Sequence, residues 1–264
     1  MSEKTVILER VDGVGIIRLN RPRVYNAVND QMGHELLQTL RQVRQDPEIR
    51  AVVLTGEGKA FCSGQDLNDR STVREKGETF SLGESVRNRY NPIIREIAGM
   101  EKPVIAAVNG VAAGAGASMA FACDFRFIVP ETRFIQAFVR IGLVPDSGSS
   151  YFLPKLVGLG RALEIAMTGR DVGAEEAVSI GLANRVIPGE QLMDETLEFA
   201  KKLAEGPTVA LGLIKKAMYR GAEASLEEIL EMEAEFQEQA GRTEDYLEGV
   251  RAFTEKRKPV YRGR

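Results

Sequence analysis

The sequence predicts an α/β fold, and three observations predict it. Short apolar runs bounded by turn residues, at 51–55, 104–108 and 124–129, have the length and composition of buried strands. Segments of helical spacing alternate with them, an order that calls for at least partly parallel strands. The apolar fraction of 44% over 264 residues is that of an ordinary globular chain with a sizeable core.

The elements follow in order. Residues 5–9 and 14–19 flank Val11-Asp12-Gly13, a hairpin signal built on Asp-Gly. From Asn29 the period changes. Met32, Leu36, Leu37, Leu40 and Val43 recur at helical spacing, with Asn29 or Asp30 as N-cap and Pro47 past the end. Gly56 closes the strand at 51–55. Residues 66–85 are polar and poor in aliphatics, which predicts a loop or lid, and a helix is expected over 86–100. The strand at 104–108 breaks into a Gly/Ala-rich segment at 110–120. After about residue 148 the chain reads as mostly helical. Ser225-Leu226-Glu227-Glu228 is a capping box opening a helix with apolar positions Leu226, Ile229, Leu230 and Phe236. A further helix is expected from Thr243 to about Lys256. The division expected is a core over 1–195 and a helical region over 196–264 that supports oligomerisation.

Rare residues exclude several chemistries. A single histidine, His34, cannot build a His-rich metal site, and two cysteines cannot build a structural zinc site, so no metal is expected. Cys62 and Cys123 follow no paired spacing and read as reduced, buried thiols. A net charge of −3 and a pI near 5.6 offer no field for a phosphate backbone, so nucleic acid is not an expected partner. Met1-Ser2-Glu3-Lys4 opens without an apolar run, and no stretch approaches the roughly 18 apolar residues of a membrane span. A cytoplasmic protein is expected.

The Gly-rich segment fits no nucleotide-binding pattern. Gly114-Ala115-Gly116 lacks the third glycine of a dinucleotide fingerprint, and Gly56-Glu57-Gly58-Lys59 is too short for a phosphate loop. Gly116-Ala117-Ser118-Met119-Ala120 resembles a degenerate nucleophile elbow, but that mechanism needs a histidine after the serine, and His34 precedes it. A strand breaking into small residues before a helix leaves backbone N–H groups free to hold a developing oxyanion, although tight packing alone would also use small residues. Residues 61–67, Phe-Cys-Ser-Gly-Gln-Asp-Leu, form a second such break after the strand at 51–55. Two breaks at the carboxyl edge of one sheet can each supply one donor.

These two segments, with Leu-Asn-Arg-Pro-Arg-Val-Tyr-Asn-Ala at 19–27, Ala-Cys-Asp at 122–124, Gly-Leu-Val-Pro-Asp at 142–146 and Ala-Phe-Thr-Glu-Lys-Arg at 252–257, resemble the crotonase, or enoyl-CoA hydratase/isomerase, family over nearly the whole chain. The resemblance implies a spiral of ββα units, a helical C-terminal trimerisation region and an acyl-CoA thioester substrate, with coenzyme A part of the substrate rather than a cofactor. It implies a homotrimer or a dimer of trimers. The thioester carbonyl would lie between the N–H groups of Gln65 and Ala115, which would stabilise an enolate. Arg23, Ala27, Asp66 and Leu67 would line the CoA nucleotide, with Ser63, Asn68 and Gly114 among the other substrate-binding residues. Lys256 or Lys258 would reach a neighbour's CoA.

Family hydratases use two glutamates, and by resemblance their places are taken here by Ser118 and Phe138. Without paired carboxylates a water is poorly activated, each acid–base role contributing about 10²–10⁴-fold. Ser118 could hold a water but is no base. The family's isomerases need one carboxylate, and Asp146 is the candidate. As Asp-Ser-Gly before a helix it also reads locally as an N-cap. Phe138, Ile141, Leu143 and Val144 would desolvate it and raise its pKa. Asp66, Asp69 and Asp124 are its rivals. An acyl-CoA isomerase is therefore expected, with a hydratase, a non-catalytic acyl-CoA-binding subunit and a serine hydrolase as alternatives.

Overall fold

The computed structural model describes residues 4–67 and 81–264. It opens with a hairpin in which β1 (Val6–Val11) pairs antiparallel with β2 (Val14–Leu19). Asp12 and Gly13 turn it in the left-handed region that a tight hairpin requires. Helix α1 (Asp30–Gln45) follows. Of its two candidate caps Asn29 serves, accepting the Met32 N–H at 2.9 Å. Met32, Leu36, Leu40 and Val43 form its buried stripe.

The chain then winds through three turns of one pattern. Each turn adds a long buried strand to a first sheet and a three-residue strand to a second. The pairs are β3 (Ala51–Gly56) with β4 (Ala60–Cys62), β5 (Val104–Val108) with β6 (Val111–Ala113), and β7 (Phe125–Ile128) with β8 (Arg133–Ile135). Between the first two pairs lie α2 (Leu82–Ser85), a π-helical turn at Val86–Tyr90 and α3 (Asn91–Ala98); α4 (Ala115–Ala122) leads into the third. This is the spiral of ββα units. The expected helix at 86–100 thus begins earlier, at Leu82, and contains the π turn. The predicted loop lies largely in 68–80, outside the described residues.

The first sheet has the order β1-β2-β3-β5-β7-β10, parallel from β2 onward. The second has the order β4-β6-β8-β9, with β9 (Asp171–Gly173) antiparallel to β8. Helices α5 (Ser149–Val157), α6 (Leu159–Thr168) and α7 (Ala174–Ser179) flank β9, and β10 (Arg185–Val186) returns to the first sheet. One core lies under α1, α3 and α4. A second, built by Val14, Ile16, Val53, Ile105 and Phe127, is closed by Leu192 and Ala200 of α8 (Leu192–Ala204).

Helices α9 (Thr208–Gly221), α10 (Leu226–Gly241) and α11 (Glu244–Glu255) complete the chain. The capping box at Ser225 and Glu228 forms as predicted. Of the four apolar positions expected on α10, only Phe236 is buried; Leu226 and Leu230 face solvent, as do Met218 of α9 and Leu247 and Phe253 of α11. No helix among the described residues is long and apolar enough to cross a membrane. Asp124 anchors α9 to the core: its carboxylate accepts the Val104 N–H at 2.8 Å and pairs with Lys215 at 2.9 Å. Burial pushes its pKa up, and Lys215 opposes that shift.

The turn between β2 and α1 carries the Ala27 backbone beside the site, and one buried side chain holds it. Asn26 sits in the left-handed region, which asparagine tolerates better than most residues. Its Oδ1 accepts the Arg21 N–H at 2.8 Å, and its Nδ2 donates to the carbonyls of Glu57 at 3.0 Å and Ala60 at 2.8 Å. Asn26→Ala strands these three groups. At about 1 kcal/mol for each lost bond, with more for any left buried and dry, urea unfolding should show roughly 3–4 kcal/mol of lost stability.

Candidate active site

The two small-residue breaks meet in the second sheet. They follow the short strands β4 and β6, not the long strands at 51–55 and 104–108 to which the sequence attaches them. β4 and β6 run parallel as neighbours, so their carboxyl ends share one edge. At the β4 end, the Val28 N–H donates to the Gly64 carbonyl at 2.7 Å, and the Asp66 N–H donates to the Val28 carbonyl at 3.0 Å. That parallel-bridge pattern turns the intervening Gln65 N–H to the opposite side. At the β6 end, Ala115 opens α4, and the first N–H of a helix has no acceptor within it.

Close backbone approach brings the two donors side by side. A Cβ on Gly64 (φ +92°) would stand 2.8 Å from the Ala113 carbonyl oxygen and 3.4 Å from the Ala115 nitrogen. A Cβ on Gly116 would stand 2.1 Å from the Cys62 carbonyl oxygen. Both positions therefore exclude any side chain, and that contact sets the spacing of the hole.

Asp146 enters from the turn before α5. It is not the helix cap: α5 begins at Ser149 with Gly148 at its N-cap and no side-chain capping bond. The half-buried carboxylate instead accepts the Ser147 hydroxyl at 2.7 Å, and Ser147 and Gly148 both adopt positive φ, of 53° and 79°. A non-glycine residue held there carries backbone strain of about 1–2 kcal/mol. The desolvating wall expected around Asp146 is only partly built within one protomer. Phe138 is buried, with its ring tip 3.8 Å from where a Gly114 Cβ would stand, but Ile141 and Val144 are exposed.

Ser118 ties these parts together. Its buried Oγ lies 3.1 Å from the carbonyl oxygens of Gly114 and Asp146 and 2.8 Å from the Ser149 Oγ. The expected water-holding role is corrected accordingly, because this hydroxyl is already committed to protein groups. Through the Asp146 carbonyl it ties the turn carrying Asp146 to the first turn of α4. No imidazole is among these partners, and the one histidine, His34, is exposed on α1, so the nucleophile-elbow alternative fails on geometry. Burial pushes both cysteine thiols up to about 12, which leaves neither as a nucleophile near neutral pH.

The remaining predicted residues fall mostly on the 21–28 turn and the segment after β4. Ala27 is buried beside Val28, while Arg23 and Leu67 are exposed. Ser63 is fixed to the 21–28 turn by its N–H to the Tyr25 carbonyl at 2.9 Å and its Oγ to the Val24 carbonyl at 3.3 Å. The Asp66 carboxylate pairs with Arg21 at 2.9 Å, so it steadies the same turn. Lys256 is exposed at the end of α11, a separate part of the chain. Asn68 and the rival Asp69 lie outside the described residues. Sequence reasoning missed Arg89, Tyr90 and Ser149. The first two reach the Gln65 side chain, Arg89 at 3.0 Å, and the Tyr90 hydroxyl donates to the same Oε1. Each acts across more than twenty residues, so no local pattern marks it.

Comparison with known proteins agrees with this geometry. The enoyl-CoA hydratase/isomerase family model matches residues 9–264. The 1,2-epoxyphenylacetyl-CoA isomerase of Escherichia coli (strain K12) is 44% identical over 259 residues, 98% of each chain. A Rhodobacter capsulatus protein named "Probable enoyl-CoA hydratase" is 42% identical over the full length of both. The crystal structure of an enoyl-CoA hydratase from Bacillus anthracis superposes with a TM-score of 0.92 at 34% identity, covering 98% of this chain and 100% of that one. With the two-sheet spiral and its paired strand-end breaks, these matches show that the chain belongs to the enoyl-CoA hydratase/isomerase family.

Proposed function

We propose that the protein is an acyl-CoA isomerase working through a thioester enolate, with 1,2-epoxyphenylacetyl-CoA as the favoured substrate and an unsaturated acyl-CoA as the next. One observation carries this reading: the backbone carbonyl of Asp146 lies 3.1 Å from the Ser118 hydroxyl, which ties the turn bearing this single carboxylate to α4, the helix whose first N–H is the proposed donor. In this scheme Asp146 takes a proton from the carbon beside the thioester carbonyl. The oxygen becomes an enolate held by the Gln65 and Ala115 N–H groups, which contribute about 3–4 kcal/mol each. The proton then returns at another carbon, so no atom is gained or lost. For the ring epoxide, the carbon–carbon bond shared by the epoxide and the six-membered ring also breaks, its electron pair passing into the ring double bonds, and the proton shift then leaves a seven-membered oxepin thioester of the same formula. For an enoyl chain, the proton shift alone gives a moved double bond. Asp146 is half-buried and held by a serine hydroxyl, which suits a group that must both accept and release a proton.

Arg23, Ala27, Ser63, Asp66, Leu67 and Asn68 would receive the CoA moiety, Gly114 and Phe138 the acyl group, and Lys256 the CoA of a neighbouring protomer. The exposed Met218, Leu226, Leu247 and Phe253 support a homotrimer or a dimer of trimers assembled through 196–264, and the place of action would be the cytoplasm.

A hydratase is the second reading, favoured by the relative that bears that name at 42% identity. Ser118 and Phe138 argue against it, since neither can activate water. The test incubates purified protein with ring-epoxide, enoyl and dienoyl thioesters and follows mass and absorbance. An isomer of unchanged mass is expected. Rapid conversion of crotonyl-CoA to a product heavier by one water would overturn the isomerase reading.

A further inference from the structure

The N–H of Gln65 is the less supported of the two proposed donors. Ala115 is built into a helix, whereas Gln65 sits in a single isolated bridge directly after Gly64 at φ +92°. Glycine gives that peptide little steric restraint of its own, so its backbone aim rests on the one bond its Gly64 carbonyl accepts from the Val28 N–H at 2.7 Å. An oxyanion donor gains its effect only if it is aimed before the reaction.

The structure places an anchor on this residue's own side chain. Gln65 Oε1 accepts the Tyr90 hydroxyl and, at 3.0 Å, Arg89 Nη1, while its Nε2 donates to the Asp66 carbonyl at 3.2 Å. The amide is thus held at both ends. Its two outside donors are successive residues of the π turn Val86–Tyr90, whose wider winding brings neighbouring side chains closer in direction than an α-turn does. Tyr90 is 1% exposed and packs with Ile93 and Ile97 of α3 in the core. Arg89 crosses α1 at Gly33, where a Cβ would stand 2.8 Å from its Cγ, and pairs with Asp30. Both donors thus come from one turn, which the core holds through Tyr90 and α1 braces through the Arg89–Asp30 pair.

We infer that Arg89 and Tyr90 are positioning residues that aim the Gln65 N–H into the oxyanion hole by gripping the Gln65 side chain. The inference rests on the oxyanion reading proposed above. It assigns a role to a side chain whose backbone alone the reaction uses, and it accounts for the π turn, an irregularity that often marks functional sites.

The test compares Tyr90→Phe, Gln65→Met and the double variant. Tyr90→Phe removes one of the two outside donors and Gln65→Met removes the whole grip, and both keep the N–H at position 65 and much of the packing volume. Relative to the ~10²–10³-fold cost of losing a whole donor, a misaimed one should lower kcat about 10-fold. KM should change little, because ground-state binding is untouched. The double variant should lose no more than Gln65→Met alone, since Tyr90 acts only through the Gln65 side chain. A bound aryl-conjugated thioester, cinnamoyl-CoA, gives a direct readout: an oxyanion hole polarises its carbonyl and shifts its absorption to the red, and the shift should shrink in each variant. Unchanged kcat and absorption shift in the variants would overturn the inference, as would additive losses, which would give Tyr90 a role apart from Gln65. Should the unaltered protein produce no red shift, the oxyanion reading itself fails and this inference falls with it. If Tyr90→Phe does not fold, as its circular dichroism will tell, Gln65→Met and Arg89→Met carry the same comparison.

Discussion

Asp146→Asn removes exchange of the acidic proton of a bound thioester and lowers kcat by roughly 10²–10⁴-fold, the usual contribution of one acid–base group. Asparagine has nearly the same shape, and its amide oxygen still accepts the Ser147 hydroxyl that now lies 2.7 Å from the carboxylate. The turn also keeps its tie to Ser118, which is made through the Asp146 backbone carbonyl and not through the side chain. The fold and thioester affinity should therefore survive, and the loss should fall on kcat with KM nearly constant. Deuterium incorporation into an unreactive saturated acyl-CoA, followed by mass, isolates proton removal from the rest of the cycle. Turnover and exchange at the original rates would show that another group is the base. Full thioester affinity with no exchange even before mutation would instead identify a binding subunit without chemistry.

In the sequence Asp146 is a candidate base only through the family resemblance, because its local pattern reads as a helix cap. Its neighbours Ser147 and Gly148 suggested a cap, because an N-cap and a functional turn use the same small polar residues. Only the coordinates show the helix starting later, with the carboxylate bonded to a neighbouring hydroxyl. The long strands were legible because their uninterrupted apolar runs are buried on both faces. The short strands β4, β6 and β8 were not: three residues are too few to display a period of two, yet they carry the breaks on which the site depends. The contacts at Ser118 and Gln65 were equally hidden. Each joins residues more than twenty positions apart, which no local pattern reports.

Gly116→Ala is the sharpest probe of the hole itself, because it adds one methyl group and no chemistry. That methyl would stand 2.1 Å from the Cys62 carbonyl oxygen and 2.8 Å from the Cys62 Cβ. The obstacle is largely backbone, so it cannot be relieved by rotating a side chain. Either α4 or the end of β4 has to move, and those two segments carry the Ala115 and Gln65 donors. A displacement that opens the gap between them should cost about 10²–10³-fold in kcat/KM, the value of one misplaced oxyanion donor. Overpacking should also cost roughly 1–3 kcal/mol of stability, read from urea unfolding. Gly160→Ala is the control. A Cβ at Gly160 meets nothing within 4 Å, so that variant should match the unaltered protein in both activity and stability. The two losses in Gly116→Ala have one cause but different remedies: a stabilising osmolyte such as trimethylamine N-oxide can restore the apparent stability by favouring the compact state, yet it cannot restore the donor geometry. Activity that stays low while the melting temperature is recovered would place the defect in the hole. Activity that returns along with stability would mean that the two breaks tolerate separation and that the carbonyl is held by other groups.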